Sequence, residues 1–464
     1  MPVEAILHGL QLAERELTAF ALFWFAIGAV DDLAIDVLWI GLRLTGRAAT
    51  PRLPAGQLTE PLDGPIAVFF PAWREAEVIG TAVSYALRAW PQAGLRLYVG
   101  CYPNDAATIA AAQAGVGEDR RARVVVLEED GPTTKADCLN HLYAALLDDE
   151  ARSGERFRGV ILQDAEDMVH PAGLGLIAEA LREVDFVQLP VRPEPDAGSR
   201  WVAGHYGDEF AESHAKALVV RDALGAAIPA AGVGCAFGRA MLDILVRLRR
   251  EEGESGPFAA ECLTEDYELG WLIARSGGRS RFLRVRDAAG ELVATRAYFP
   301  ATVEEAVRQK TRWIHGIAFQ SWDRLGWSRR PVDVWMALRD RRGPLTALVT
   351  AAAYGLVAIW IVLAVARSAG WAGGVEPPAY WRAMLWLGFA AFAWRAVLRA
   401  AFTAREYGPI DGLRSVLRIP IANAIAILAS RRALAAYFRA LRGRRIVWDK
   451  TAHRLHPALR EAAE

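Results

Sequence analysis

From Pro344 to Ala366 the sequence reads PLTALVTAAAYGLVAIWIVLAVA, an uncharged run about as long as the ~20 residues a helix needs to cross a bilayer. A backbone in hydrocarbon must satisfy its own hydrogen bonds, so this stretch can only be a helix. Residues 380–402 form a second such run, with Arg395 and Arg399 near one end. Residues 17–42 form an earlier one, interrupted by Asp31, Asp32 and Asp36. Glu4, Glu14 and Glu16 precede that first run and Arg43 and Arg47 follow it, the reverse of a cleavable signal peptide. The 415–430 run is shorter and holds Arg418 and Pro420. Were it to cross, the arginine-rich segment after it would lie outside, against the positive-inside tendency, so it is expected to be interfacial or re-entrant. Three crossings are expected, with residues 43–343 and the basic tail, which ends in VWDKTAH and beyond, in the cytoplasm.

With 464 residues, 53% of them hydrophobic, the chain is too long for one ordinary soluble domain and has room for a soluble domain beside its membrane segments. Lys plus Arg equals Asp plus Glu, at 54 each, which argues against a nucleic-acid partner. Cys101, Cys138, Cys235 and Cys262 have neither zinc-site nor disulfide-framework spacing, as fits a reducing compartment.

Between the 17–42 and 344–366 runs, strand and helix patterns alternate. IAVFFPAW (66–73), LRLYVGC (95–101), RVVVL (123–127) and GVILQD (159–164) read as strands. EVIGTAVSYALRAW (77–90) and ADCLNHLYAALLDD (136–149) read as helices. Such alternation predicts an α/β, Rossmann-like, mainly parallel sheet covered by helices on both faces. Ligands of these sheets bind beyond the carboxyl ends of the strands, where Glu75, Asn104, Asp105 and Asp164 fall.

Asp164 and Glu166 share one side of an extended chain and can hold a divalent cation, with Asp167 as a further oxygen donor. Alone, such a cluster is more often an acidic turn; Lys135 and the carboxylates at neighbouring strand ends favour the cation site. Thr264-Glu265-Asp266 opens an amphipathic segment, both a helix cap and a place for a general base. Gln309, Arg312 and Trp313 follow just before the membrane, where an interfacial anchor accounts for Lys310, Trp313 and Trp322 but not for Gln309 with Arg312 and Trp313 at this spacing.

In this order the segments resemble family 2 glycosyltransferases of the GT-A fold, in the membrane-embedded branch of cellulose and hyaluronan synthases. DAED, DDLAID and the ending IPIANAIAILASRRALAAYFRAL with VWDKTAH are similar to the phage-adsorption protein B subgroup of bacterial inner-membrane glycosyltransferases. The resemblance implies donor contacts from Glu75, Asp105, Lys135, Asp164, Gln309 and Arg312. It implies Mg2+ or Mn2+ on Asp164 and Glu166 (or Asp167), and Asp266 as the catalytic base. Trp313, Glu265 and Cys235, the last in Gly232-Val-Gly-Cys235-Ala-Phe-Gly238, would meet the acceptor. The implied reaction is inverting, processive transfer from a UDP-sugar to a growing glycan, or, in the alternative, transfer to a lipid carrier or a non-catalytic scaffold role. Three spans are few for a channel, so an export partner or a homo-oligomer is expected. The implied division is an N-terminal membrane helix (1–45), a catalytic domain (46–300), interfacial helices (301–343), two membrane helices (344–402) and an interfacial or re-entrant helix with a basic tail (403–464).

Overall fold

A computed structural model describes residues 2–54, 61–251, 253–371, 378–443 and 456–461. VWDKTAH and the basic residues Arg444, Arg445 and Lys450 lie outside the described residues. Seven strands form one sheet: β1 (Ile66–Pro71), β2 (Leu95–Cys101), β3 (Ala122–Val126), β4 (Gly159–Leu162), β5 (Phe186–Gln188), β7 (Cys235–Gly238) and β8 (Ser280–Phe282). Two more, β6 (Val191–Pro193) and β9 (Thr295–Ala297), pair in parallel beside it. The strand order β3-β2-β1-β4-β7-β5-β8 is parallel across its first four members. β7 runs antiparallel to both β4 and β5. The chain winds outward from β1 in both directions, so the β1/β4 boundary is the switch point where a ligand crevice forms.

Alternation along β1 builds the core on both faces. Ile66, Val68 and Phe70 enter one apolar layer with Trp90, Leu174 and Ile177. Ala67 and Phe69 enter the other, with Leu139, Leu142, Leu242 and Leu245. Burying each such large apolar side chain contributes about 1.5–3 kcal/mol, and this two-faced burial keeps the strand ends in place. The Lys135–Ser153 helix starts where the Thr134 side chain accepts from the Asp137 amide and stops at left-handed Gly154. That start fixes Lys135 in the helix's first turn, at the sheet's carboxyl edge.

Three helices are long and apolar enough to cross a membrane: Gly343–Ser368, Ala379–Tyr407 and Ile419–Ala440. The last corrects the expected short 415–430 segment. A Pro409–Leu417 helix ends before Arg418, and a separate 22-residue helix follows, because Pro420 sits in the first turn where its missing N–H costs nothing. It packs lengthwise on the Val303–Ile314 helix, with Ile425 beside Ala306 and Thr311 Oγ1 3.4 Å from the Ala429 carbonyl. The first helix, Pro2–Leu44, is unbroken over 43 residues and is not among the three.

The aspartates of this helix are all engaged. Asp31 and Asp32 meet Arg339, Arg342 and Arg395, with Arg342 Nη2 2.7 Å from Asp32 Oδ1. Asp36 accepts from Lys216 Nζ at 2.6 Å and from Trp394 Nε1 at 2.9 Å. Ion pairs thus clasp the first helix to the Pro331–Arg341 and Ala379–Tyr407 helices and to Lys216 beside the sheet. The same helix exposes Phe23, Phe25, Ile27, Val30, Leu33 and Val37.

Candidate active site

A cavity of about 930 Å3 opens beyond the carboxyl ends of β1 and β4 and is lined by Glu75, Lys135, Asp164, Glu166, Asp167, Glu265, Asp266, Gln309, Arg312 and Trp313. The turn after β4 presents the acidic cluster. Asp167 Oδ2 accepts from the Asp164 amide at 2.6 Å, and the Asp167 amide donates back to the Asp164 carbonyl at 3.1 Å. Asp164 Oδ1 is thereby aimed at Lys135 Nζ, 2.6 Å away. Lys135 also donates to the Gly232 carbonyl at 3.4 Å. Gly232 is left-handed, and a Cβ there would stand 2.4 Å from Asp266 Oδ2, so the glycine lets the backbone pass between lysine and acid.

The Glu265–Arg275 helix brings its first acids to the same place. Glu268, one turn on, pairs with Arg249 and with Arg324 Nε at 2.8 Å, anchoring that helix to the segment ahead of the membrane helices. The Val303–Ile314 helix, started by a Thr302/Glu305 capping box, continues through a π-turn at His315–Gln320. There Gly316 lies so close to Thr264 that a Cβ would stand 2.3 Å from its hydroxyl oxygen. Gln309, Arg312 and Trp313 follow the i, i+3, i+4 spacing that puts all three on one face, and all three line the cavity. Lys310 points away, pairing with Glu209 at 2.7 Å over the Tyr206 ring, and Tyr206 packs edge-on against Trp313. The Gln309 amide oxygen is buried with no hydrogen-bond partner among the described residues, as suits a group awaiting a ligand.

The cavity gathers more carboxyl groups than cations, and crowding and burial shift their titration. Burial pushes Glu265 up to about 8, with Asp266 adding to the shift. Asp266 is raised as well, by burial, against the pull of Lys135. Asp167 rises far above the usual carboxylate range through burial and the neighbouring Asp164 and Glu166. Burial opposes the charge on Lys135, but Asp164, Glu265 and Asp266 hold it firmly protonated. Among the described residues no three His, Cys, Asp or Glu side chains form a ready cation cage. The donor chemistry nevertheless fits Mg2+ or Mn2+: carboxylate oxygens on a cavity wall, in excess of the cations facing them, leave ligand positions for a diphosphate.

Two of the expected contact residues do not line this cavity. Asp105 caps the Ala106–Val116 helix and accepts from the Arg74 amide at 2.6 Å. It is not among the cavity-lining residues; it supports the turn carrying Glu75, whose amide donates to Thr108 Oγ1 at 2.9 Å. Cys235 is wholly buried in β7, paired with Leu162 and Gln188, and burial raises its thiol pKa. Ala231 and Val233 of the same loop reach the cavity instead. Sequence reasoning missed the Gly232 carbonyl, the Gly316–Thr264 contact and the far wall formed by Ile35, Met336, Arg339 and Asp340. Only the glycines gave any signal for these.

A family model described as "Glycosyltransferase like family 2" matches residues 64–316. The chain belongs to glycosyltransferase family 2. Its α/β sheet is the GT-A fold, and the matched residues include every strand named above together with the Gln309–Trp313 turn. The family 2 chain is 33% identical over 453 residues to Bacteriophage adsorption protein B of Escherichia coli (strain K12), covering 92% of this chain and 60% of that protein. The figures are the same for Bacteriophage N4 adsorption protein B of Escherichia coli O157:H7. The chain therefore spans 60% of the length of these curated relatives. Among solved structures, the mannosyltransferase PcManGT from Pyrobaculum calidifontis, in complex with GDP-Man and Mn2+, aligns over 93% of this chain and 99% of its own. The identity is 16% and the TM-score 0.49.

Proposed function

We propose that this glycosyltransferase transfers a sugar from a UDP-sugar, with inversion, to the hydroxyl of a growing glycan at the cytoplasmic face of a bacterial inner membrane. One observation carries the reading: Lys135, Asp164, Glu166, Asp266, Gln309, Arg312 and Trp313 share a single cavity. Asp164 and Glu166 would hold Mg2+ or Mn2+, which when bound neutralises the diphosphate leaving group. Lys135 stays cationic and, with Arg312, faces the charge that develops as the diphosphate departs. Arg312 makes no side-chain ion pair among the described residues and is available for that task. Asp266, raised by burial, is a stronger base than an exposed aspartate and accepts the acceptor hydroxyl's proton. Trp313, braced by Tyr206, offers a flat face for the acceptor ring, the basis for reading the enzyme as processive.

The reading extends to an exported or cell-surface glycan and an export partner or homo-oligomer, in keeping with relatives named for bacteriophage adsorption. Transfer to a lipid carrier is the second reading, favoured by Ile35 of the first helix and Met336 on the far wall of the cavity. The deciding experiment is release of nucleoside diphosphate by the purified full chain from a panel of UDP- and GDP-sugars with Mn2+. Turnover with a UDP-sugar, and product lengthening with time, is expected. No turnover with any donor overturns the assignment, and a single added sugar on an extractable lipid favours the second reading.

A further inference from the structure

The segment His456–Glu461 lies far in sequence from the acidic turn and outside the family match at 64–316, yet it returns to the catalytic domain. His456 is 1% exposed. Its Nε2 is 3.1 Å from the Asp167 carbonyl oxygen, and its ring packs on Tyr85 with centroids 6.3 Å apart. The tautomer follows from a second bond: the Ala458 amide donates to Nδ1 at 3.2 Å, so Nδ1 is an acceptor and Nε2 carries the proton. His456 therefore donates to Asp167. Asp167 in turn accepts from the Asp164 amide, and Asp164 faces Lys135. A continuous chain of bonds runs from the C-terminal segment to the carboxylate at the cavity wall.

We propose that His456 is a positioning residue for the Asp164–Asp167 turn, so that the C-terminal segment is a working part of the cation and diphosphate site. The inference rests on the nucleotide-diphosphate reading of that site. Groups behind metal-binding carboxylates set ligand orientation, and their loss commonly weakens metal binding by about 10–100-fold.

The test is binding to the full chain, with Mn2+ titrated in the presence of UDP, or GDP should the unmodified protein prefer it, followed by calorimetry and Mn2+ spin resonance. His456→Phe keeps the ring packing on Tyr85 and removes the donor; His456→Gln offers an amide donor in its place. His456→Phe is expected to weaken Mn2+ binding roughly tenfold, with His456→Gln recovering most of the loss and the melting temperatures of both staying near that of the parent. Equal Mn2+ binding by His456→Phe and the parent overturns the proposal. So does a loss that His456→Gln fails to recover, since packing alone would then account for it. If the unmodified protein binds neither nucleotide with Mn2+, the reading of the site fails first and this inference with it.

Discussion

The cavity and the base of the first helix are both rich in charge, and they treat it in opposite ways. At the helix base Asp31, Asp32 and Asp36 each meet at least one cation and one indole N–H or second cation. In the cavity Asp167, Glu265 and Asp266 are pushed up by burial among like charges, Gln309 keeps an unpartnered amide oxygen, and Lys135 serves several acids at once. Complete pairing serves architecture, because a buried unpaired charge is too costly to leave in a structural joint. Incomplete pairing leaves groups that a ligand can complete. The two regions should therefore answer charge removal differently: the joint in stability, the cavity in turnover.

The largest effect belongs to the cavity. Asp164→Asn is expected to lower turnover on the order of a thousandfold with little change in melting temperature, and excess EDTA should do the same to the parent. Near-parental rates in either case would break the contrast. Next comes the joint. Lys216→Met leaves Asp36 and Glu212, at 2.6 and 2.7 Å from its ammonium, without their shared cation, which should cost about 3 kcal/mol of stability. Activity per folded molecule should survive, as a denaturation midpoint and a rate measured on the same sample would show.

Asp266→Asn comes third, expected to cut transfer roughly a hundredfold, about 2.7 kcal/mol of barrier, while nucleotide binding stays near parental. Loss of nucleotide binding would instead make Asp266 a donor-site residue. The smallest effect is Glu265→Gln. Glu265 is raised from 4.5 to about 8, so the folded state holds its proton more tightly than the unfolded one. Its contribution is complete below about pH 4.5 and drains away as pH rises to about 8. Without added metal, Glu265→Gln should melt a degree or so higher than the parent near pH 8 and nearly with it at pH 4.5. A variant that melts lower at pH 8 would show Glu265 to be paired, as in the joint.

Much of this division was legible in the chain. β2 falls on the expected 95–101, and the Lys135 helix begins one residue before its predicted start, because both have strong local patterns. The Ala106–Val116 helix was not anticipated, since AATIAAAQAGV is too uniformly small to show an apolar face. The antiparallel placement of β7 was hidden too; its pairing with β4 joins residues more than 70 positions apart and leaves no local mark. The aspartates of the first helix read as an interruption because their partners, Arg339, Arg342 and Arg395, lie some 300 residues away. Asp105 and Cys235 were assigned by motif position, which says nothing of the helix cap the one forms or of the burial of the other in β7.

We propose that a divalent cation and a nucleoside diphosphate complete the partly paired carboxyl groups of the cavity. Titration of UDP into the purified full chain with and without Mn2+ tests this most directly. Saturable one-to-one binding that depends on Mn2+, vanishes in excess EDTA and is lost in Asp164→Asn but kept in Lys216→Met is the predicted result. Binding indifferent to EDTA and to Asp164→Asn would contradict it.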